Sequence, residues 1–192
     1  MKLAVDDLVV YASHGVGRVT GMREQMVMLE FERGLFVTLP AARAAECVRP
    51  VSTAVELVAI GRVLGGAEVV SQENWQRRLK TTRGKVAGGE ASSLAEVVRD
   101  ASRREERTNA GKEPSGLSQT ERQLYVDARR LLADEIGATL GVDSPSADAW
   151  IGDQLVQHPN YKPPLAKSGR ATNSAAPIEV TPSGRRARRR RH

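Results

Sequence analysis

The stretch Met26-Val27-Met28-Leu29-Glu30-Phe31-Glu32-Arg33-Gly34-Leu35-Phe36-Val37-Thr38-Leu39-Pro40 decides the fold of the N-terminal part of this 192-residue chain. Val27, Leu29 and Phe31 fall on one face at the period of two that a strand requires. Arg33-Gly34 makes a tight turn into a second strand, Leu35 to Leu39. Pro40 stops that strand, because proline has no N–H to give to a ladder. Toward the N-terminus, Leu8-Val9-Val10-Tyr11 is apolar and β-branched, and Gly15 and Gly17 punctuate the chain before Val19. Toward the C-terminus, a last short strand is expected around Cys47-Val48-Arg49. Four or five short strands joined by tight turns predict a small, strongly bent sheet or half-open barrel. A domain of that size has no room for a deep pocket and binds through an edge strand or one face.

After Pro50 the apolar period becomes helical. Helices are expected over 53–64, ended by Gly65-Gly66, and over 72–86, ended by Gly88-Gly89. A third is expected from Ser93, where Glu96 completes the capping-box spacing, fraying near Arg107 ahead of a Gly/Pro/Asn loop over 108–117. A fourth begins at Ser118 with Glu121, the same box. Its positions Leu124, Ala128, Leu131, Leu132 and Ile136 form one stripe before Gly141. Ser144-Pro145 reads as a cap and a first-turn proline for a short fifth helix carrying Trp150, Ile151, Leu155 and Val156. Beyond His158, proline mixes with Ser, Ala, Gly and Thr, a composition expected to be disordered. The fold class is therefore α+β: a β-domain over 1–50, an all-α domain over 51–157 and a basic tail over 158–192.

Aromatic residues are only 4% of the chain, so two small aliphatic cores are expected rather than one large one. The net charge of +6 belongs to the tail. Residues 1–157 hold 20 basic and 22 acidic side chains, while 158–192 hold nine basic residues against Glu179 alone. A high isoelectric point is thus no argument that the folded part binds nucleic acid; that needs a local cluster. One cysteine, Cys47, excludes an internal disulfide and reads as a buried thiol. The acidic start Met1-Lys2-Leu3-Ala4-Val5-Asp6-Asp7 is unlike a signal peptide, and no apolar run approaches a membrane span, so a cytoplasmic protein is expected.

No catalytic constellation is present. His14, His158 and His192 are scattered, and no Walker, HExxH or GxSxG pattern occurs. Gly15-Val16-Gly17 is turn chemistry, with His14 a hydrogen-bonded turn histidine. No enzyme, cofactor, metal site or small-molecule substrate is expected. The informative stretch is Asn74-Trp75-Gln76-Arg77-Arg78-Leu79-Lys80-Thr81-Thr82-Arg83-Gly84-Lys85, with five basic residues and no acid. Trp75 stands at the start of its helix, where few apolar neighbours could bury it. Arg77 and Lys80 are i, i+3 neighbours, and Arg78 and Lys85 lie two turns apart, so the four are expected to edge the helix with charge. Basic side chains neutralise phosphates and an apolar wedge enters the minor groove at a base step. The competing reading is a core tryptophan beside a solvated basic face.

At these residues the chain resembles the CarD/CdnL family of bacterial transcription regulators. The likeness is carried by Asp7-Leu8-Val9-Val10-Tyr11-Ala12-Ser13-His14-Gly15-Val16-Gly17, by Asn74-Trp75-Gln76-Arg77-Arg78-Leu79-Lys80, and by Ala95-Glu96-Val97-Val98-Arg99-Asp100. Leu117-Ser118-Gln119-Thr120-Glu121-Arg122 and Ala128-Arg129-Arg130-Leu131-Leu132 follow. Order and spacing match over roughly residues 5 to 140. The first block is shared with the polymerase-binding module of the Mfd translocase. The resemblance implies a Tudor-like (SH3-like) domain that docks on the RNA polymerase β subunit, with Phe36, Val37 and Thr38 as partner-binding residues. It also implies a helical domain that touches promoter DNA at the upstream edge of the melted region. There Trp75 would be a minor-groove wedge stabilising the open complex. Arg77 and Lys80 match motif positions whose basic residues contact DNA, and Arg122 matches another basic position. The basic stretch itself adds Arg78 as an expected phosphate contact.

The chain departs from the family pattern. The hairpin near Met22 to Met26 is shorter, Thr38 stands where polymerase-binding members often have arginine, and Asp127 replaces a basic residue. The loop over 108–117 is longer, and the tail, with Arg185, Arg186, Arg188, Arg189, Arg190 and Arg191, is not a family feature. These arginines could add non-specific nucleic-acid affinity. The alternative function is a nucleic-acid-binding adaptor whose β-domain grips a different regulatory protein; the short hairpin and Thr38 favour it.

Overall fold

Alternating apolar residues build an antiparallel sheet of five strands. The computed structural model describes residues 3–67, 74–112 and 116–156. The strands are β1 (Leu8–Tyr11), β2 (Gly15–Arg23), β3 (Met26–Phe31), β4 (Leu35–Pro40) and β5 (Val48–Pro50), in the order β4-β3-β2-β1-β5. Val27, Leu29 and Phe31 are buried with Val9, Val19 and Val48, as the period of two requires. β4 and β5 are the two edges and do not pair with each other, so the sheet stays open.

Turn chemistry fixes the register. The β2–β3 hairpin closes through Glu24 and Gln25, both at positive φ (45° and 69°), with Arg23 facing Met26. That is the backbone of a two-residue primed turn, built here without the usual Asn-Gly. Gly17 faces Phe31, and a Cβ at Gly17 would lie 2.6 Å from the Phe31 ring. The missing side chain lets the ring lie across the strand. His14 stacks on Tyr11 with centroids 5.0 Å apart, so ring packing rather than the expected hydrogen bond is its contact here.

A short helix that the residues were not read to contain, α1 (Ala41–Cys47), follows Pro40 and covers the sheet core with Ala44. Cys47 ends it, half-buried rather than buried, and its thiol donates to the Arg43 carbonyl at 2.9 Å.

The helices form a second, aliphatic core: α2 (Ala54–Gly65), α3 (Trp75–Gly88), α4 (Ala91–Asn109), α5 (Gln119–Leu140) and α6 (Ser144–Val156). Ala128, Leu131, Leu132 and Ile136 of α5 are buried and Leu124 is half-buried against them, so the stripe reads correctly. The Ser118/Glu121 capping box forms, and a second one, Thr53 with Glu56, starts α2.

Three helix starts differ from expectation. Gln72 and Glu73 lie outside the described residues, and α3 begins at Trp75 behind the cap Asn74. α4 begins two residues before Ser93, because Ala91 is buried with Leu94 and Ala95. Glu96 consequently pairs with Lys85 instead of closing a box. At α6 the cap is Asp143, whose carboxylate accepts from Ser146 N at 3.1 Å; Ser144 is already helical. The Ser146 hydroxyl and N–H hold the exposed Asp143 carboxyl below its ordinary range. The tail over 158–192 lies outside the described residues.

Sheet and bundle meet in a polar seam. Glu135 of α5 is 1% exposed and accepts from Arg49 Nη1 at 2.6 Å and Nη2 at 2.8 Å, and from Ser52 N and Oγ at 2.9 and 2.7 Å. Arg49 Nη2 also donates to the Gly89 carbonyl at 2.7 Å, and Thr139 Oγ1 to the Ser52 carbonyl at 2.7 Å. Gly89, at φ 63°, brings its backbone against Ala12; a Cβ there would sit 2.6 Å from the Ala12 oxygen. The seam ties β5 and the β1–β2 connection to α5 and to the end of α3.

Candidate nucleic-acid interface

α3 is held by little apolar surface. Leu79 and Val86 are its two buried residues. Asn74 Oδ1 accepts from Arg77 N at 2.9 Å and caps the first turn, leaving Trp75 as the first helical residue. A side chain there leans back past the helix end, where no preceding turn can cover it. The indole is accordingly 47% exposed. The alternative of a tryptophan sunk in the core does not hold.

The basic residues of α3 do not form one edge. Arg77 and Lys80 are exposed. Arg78 turns toward the bundle, where its Nε and Nη2 each donate to Glu121 Oε1 at 3.3 Å, and Lys85 pairs with Glu96 at 2.7 Å. Glu121 ties three helices. Besides Arg78 it accepts from Arg104 Nη1 of α4 at 3.2 Å, and its other oxygen accepts from Ser118 N and Oγ at 3.0 and 2.8 Å. Burial opposes its charge, but the Ser118 N–H and hydroxyl, then Arg104 and Arg78, outweigh that and hold the carboxyl below its ordinary range. The stability this confers is present above the ordinary glutamate range and is lost as pH falls through the lowered value. Arg122 is exposed on α5 and pairs with Glu105 at 3.3 Å.

On the sheet, Phe36, Val37 and Thr38 occupy the β4 edge but not one face. Phe36 is 63% exposed and Thr38 is exposed, while Val37 is half-buried against the sheet core. Met28 of β3 faces Thr38 and is also exposed, so a thioether joins the phenyl ring on the outer surface. Sequence reasoning passed over Met28, although its place between the inward Val27 and Leu29 already sent it outward. It also passed over Glu121 as the partner of Arg78. Its capping role was legible in Ser118-x-x-Glu121, but its reach to a helix 43 residues away was not. Elsewhere, a cleft of about 600 Å³ between α2 and α6 is lined by Leu57, Val58, Gly61, Leu140 and Trp150 among others. Arg62 is its one ionisable lining residue among those described, so it presents no acid–base pair.

Comparison with known proteins gives this arrangement a relationship. Residues 59–152 match the CarD C-terminal domain, and residues 3–52 match the CarD-like/TRCF RID domain. The chain belongs to the CarD/CdnL family. A Bacillus subtilis (strain 168) protein named "Putative transcription factor YdeB" is 24% identical over 148 residues, which cover 72% of this chain and 92% of that protein. The CarD/CdnL family is one of transcription regulators, and its two domain matches fall on the sheet and the helical bundle in turn. No helix among the described residues is long and apolar enough to cross a membrane.

Proposed function

We propose that this CarD/CdnL member holds the RNA polymerase β subunit through its sheet (residues 1–50) and promoter DNA through its helical part (51–157), stabilising the open promoter complex. The observation that carries the reading is the half-exposed indole of Trp75 on the first residue of a basic helix. An apolar wedge of this kind unstacks a base step from the minor groove, while flanking cations position the protein on phosphates without reading sequence. Polymerase docks on the β4 edge, with Phe36 and Thr38 presented outward and unpaired backbone available for strand addition. A ligand shifts an equilibrium only by its differential affinity for the two states. The wedge therefore acts because it fits the distorted, open DNA better than the closed duplex. The reading places the protein in the cytoplasm, at the nucleoid, with no catalytic step.

Trp75→Ala is the test. The variant is expected to retain its fold and its co-purification with polymerase while the open complex decays faster. An unchanged lifetime would sink the wedge. The second reading, an adaptor gripping a different regulator, is favoured by Thr38 and by the two-residue hairpin at Glu24-Gln25, which shortens the surface beside β4. A pull-down with the polymerase β subunit separates the two. The arginines between Arg185 and Arg191 add non-specific affinity in either case. Deleting residues 183–192 is expected to flatten the salt dependence of DNA binding; an unaltered slope removes the tail from the mechanism.

A further inference from the structure

The five basic residues of α3 divide by what surrounds them. Arg78 and Lys85 face the bundle and meet carboxylates. Arg77, Lys80 and Arg83 are exposed, and none of the three forms an ion pair among the described residues. At 3.6 residues per turn, the steps 77, 80 and 83 run as one diagonal across the solvent face and span about 9 Å of helix axis. One DNA strand places a phosphate about every 3.4 Å along the duplex, so the diagonal covers roughly two to three of them. Beside it, Gly84 has nothing within 4 Å of where a Cβ would stand, which leaves the helix surface open to close approach.

We propose that Arg83 is a third phosphate contact of α3, acting with Arg77 and Lys80 on the sugar–phosphate backbone of duplex DNA. In this arrangement Arg78 is a positioning residue that holds α3, and with it Trp75, to Glu121. The assignment rests on the reading of α3 as the DNA-facing element. It differs from the expectation drawn from the basic stretch, which made Arg78 a phosphate contact and gave Arg83 no role.

The roles separate in salt dependence. Each phosphate neutralised contributes about −0.9 to the slope of log affinity against log salt on a duplex. Binding of the full chain to a labelled promoter duplex is measured between about 50 and 200 mM salt, the range in which that dependence is steep. Arg83→Ala is expected to flatten the slope by about 0.9, as Arg77→Ala and Lys80→Ala do, with unchanged melting temperatures. Arg78→Gln is expected to keep the slope, weaken binding by one factor at every salt concentration and lower the melting temperature. Glu121→Gln should reproduce that pattern.

An Arg83→Ala slope equal to that of the unsubstituted protein overturns the proposal. So does an Arg78→Gln slope flattened as much as that of Arg77→Ala. A preference for single strands, with the shallower dependence of about −0.7 per phosphate, also overturns it. The wider reading fails separately, through an unaltered open-complex lifetime in Trp75→Ala, which none of these slopes measures.

Discussion

Glu135 and Trp75 stand on helices that pack against each other, yet the fold treats the two side chains in opposite ways. Around Glu135, at 1% exposure, both carboxylate oxygens are occupied by donors from Arg49 and Ser52. Around Trp75, nearly half the side chain faces solvent. A buried carboxylate is tolerated only where its partners are fixed, so the seam can carry little motion without leaving a charge unpaired. An indole left nearly half exposed adds little to the stability of the free protein. The contrast teaches that stability has been placed in the joint between the two units, and the surface left incomplete lies at the start of α3.

The comparison breaks most directly at the seam. Glu135→Ala leaves the Arg49 guanidinium, two-thirds covered, without its carboxylate. Removing one partner of a buried pair costs about 3–5 kcal/mol. Chemical denaturation should show a loss in that range. A change under about 1 kcal/mol, the value expected of surface ion pairs, would mean that the seam is no weld.

Gly89 gives the next effect. An alanine at φ 63° costs about 1–2 kcal/mol from left-handed backbone alone. Its Cβ would also press on the Ala12 carbonyl, which is backbone and moves only with the seam. Gly88→Ala is the paired control: it is helical with open space around it, and it should stabilise by roughly 0.5–1 kcal/mol. Equal effects at the two glycines would contradict the close approach.

How far the residues announced this arrangement depends on how local each signal was. The sheet was legible because alternation at Val27, Leu29 and Phe31 is enforced by burial on one side. α5 was legible because a capping box and a five-position stripe agree. α1 was missed although Ala41-Ala42-Arg43-Ala44-Ala45-Glu46 is strong in helix propensity, because a single buried alanine leaves no periodic stripe. At Ser93 a local box was outvoted by tertiary burial of Ala91, three residues ahead of Leu94. Arg78 is the instructive case at the interface. Its charge and neighbours matched a phosphate-binding residue, and only the packing of α3 on α5 brings Glu121 to it.

The smallest stability effect belongs to the residue given the largest functional one. Trp75 is the first residue of its helix and is half exposed, and its replacement leaves the Asn74 cap and the Arg78–Glu121 contact in place. Exposed substitutions away from caps and buried networks change stability by about 0.5 kcal/mol or less, and the covered half of the indole adds a modest loss. Trp75→Ala is therefore expected within about 1 kcal/mol of the unsubstituted protein in denaturant, while open-complex stabilisation disappears. A loss as large as that of Glu135→Ala would show that the indole supports the fold, and the division between a fixed joint and a free wedge would be wrong. A small loss with full activity would keep the division and take the wedge away from Trp75, leaving the exposed cations of α3 as the part that meets DNA.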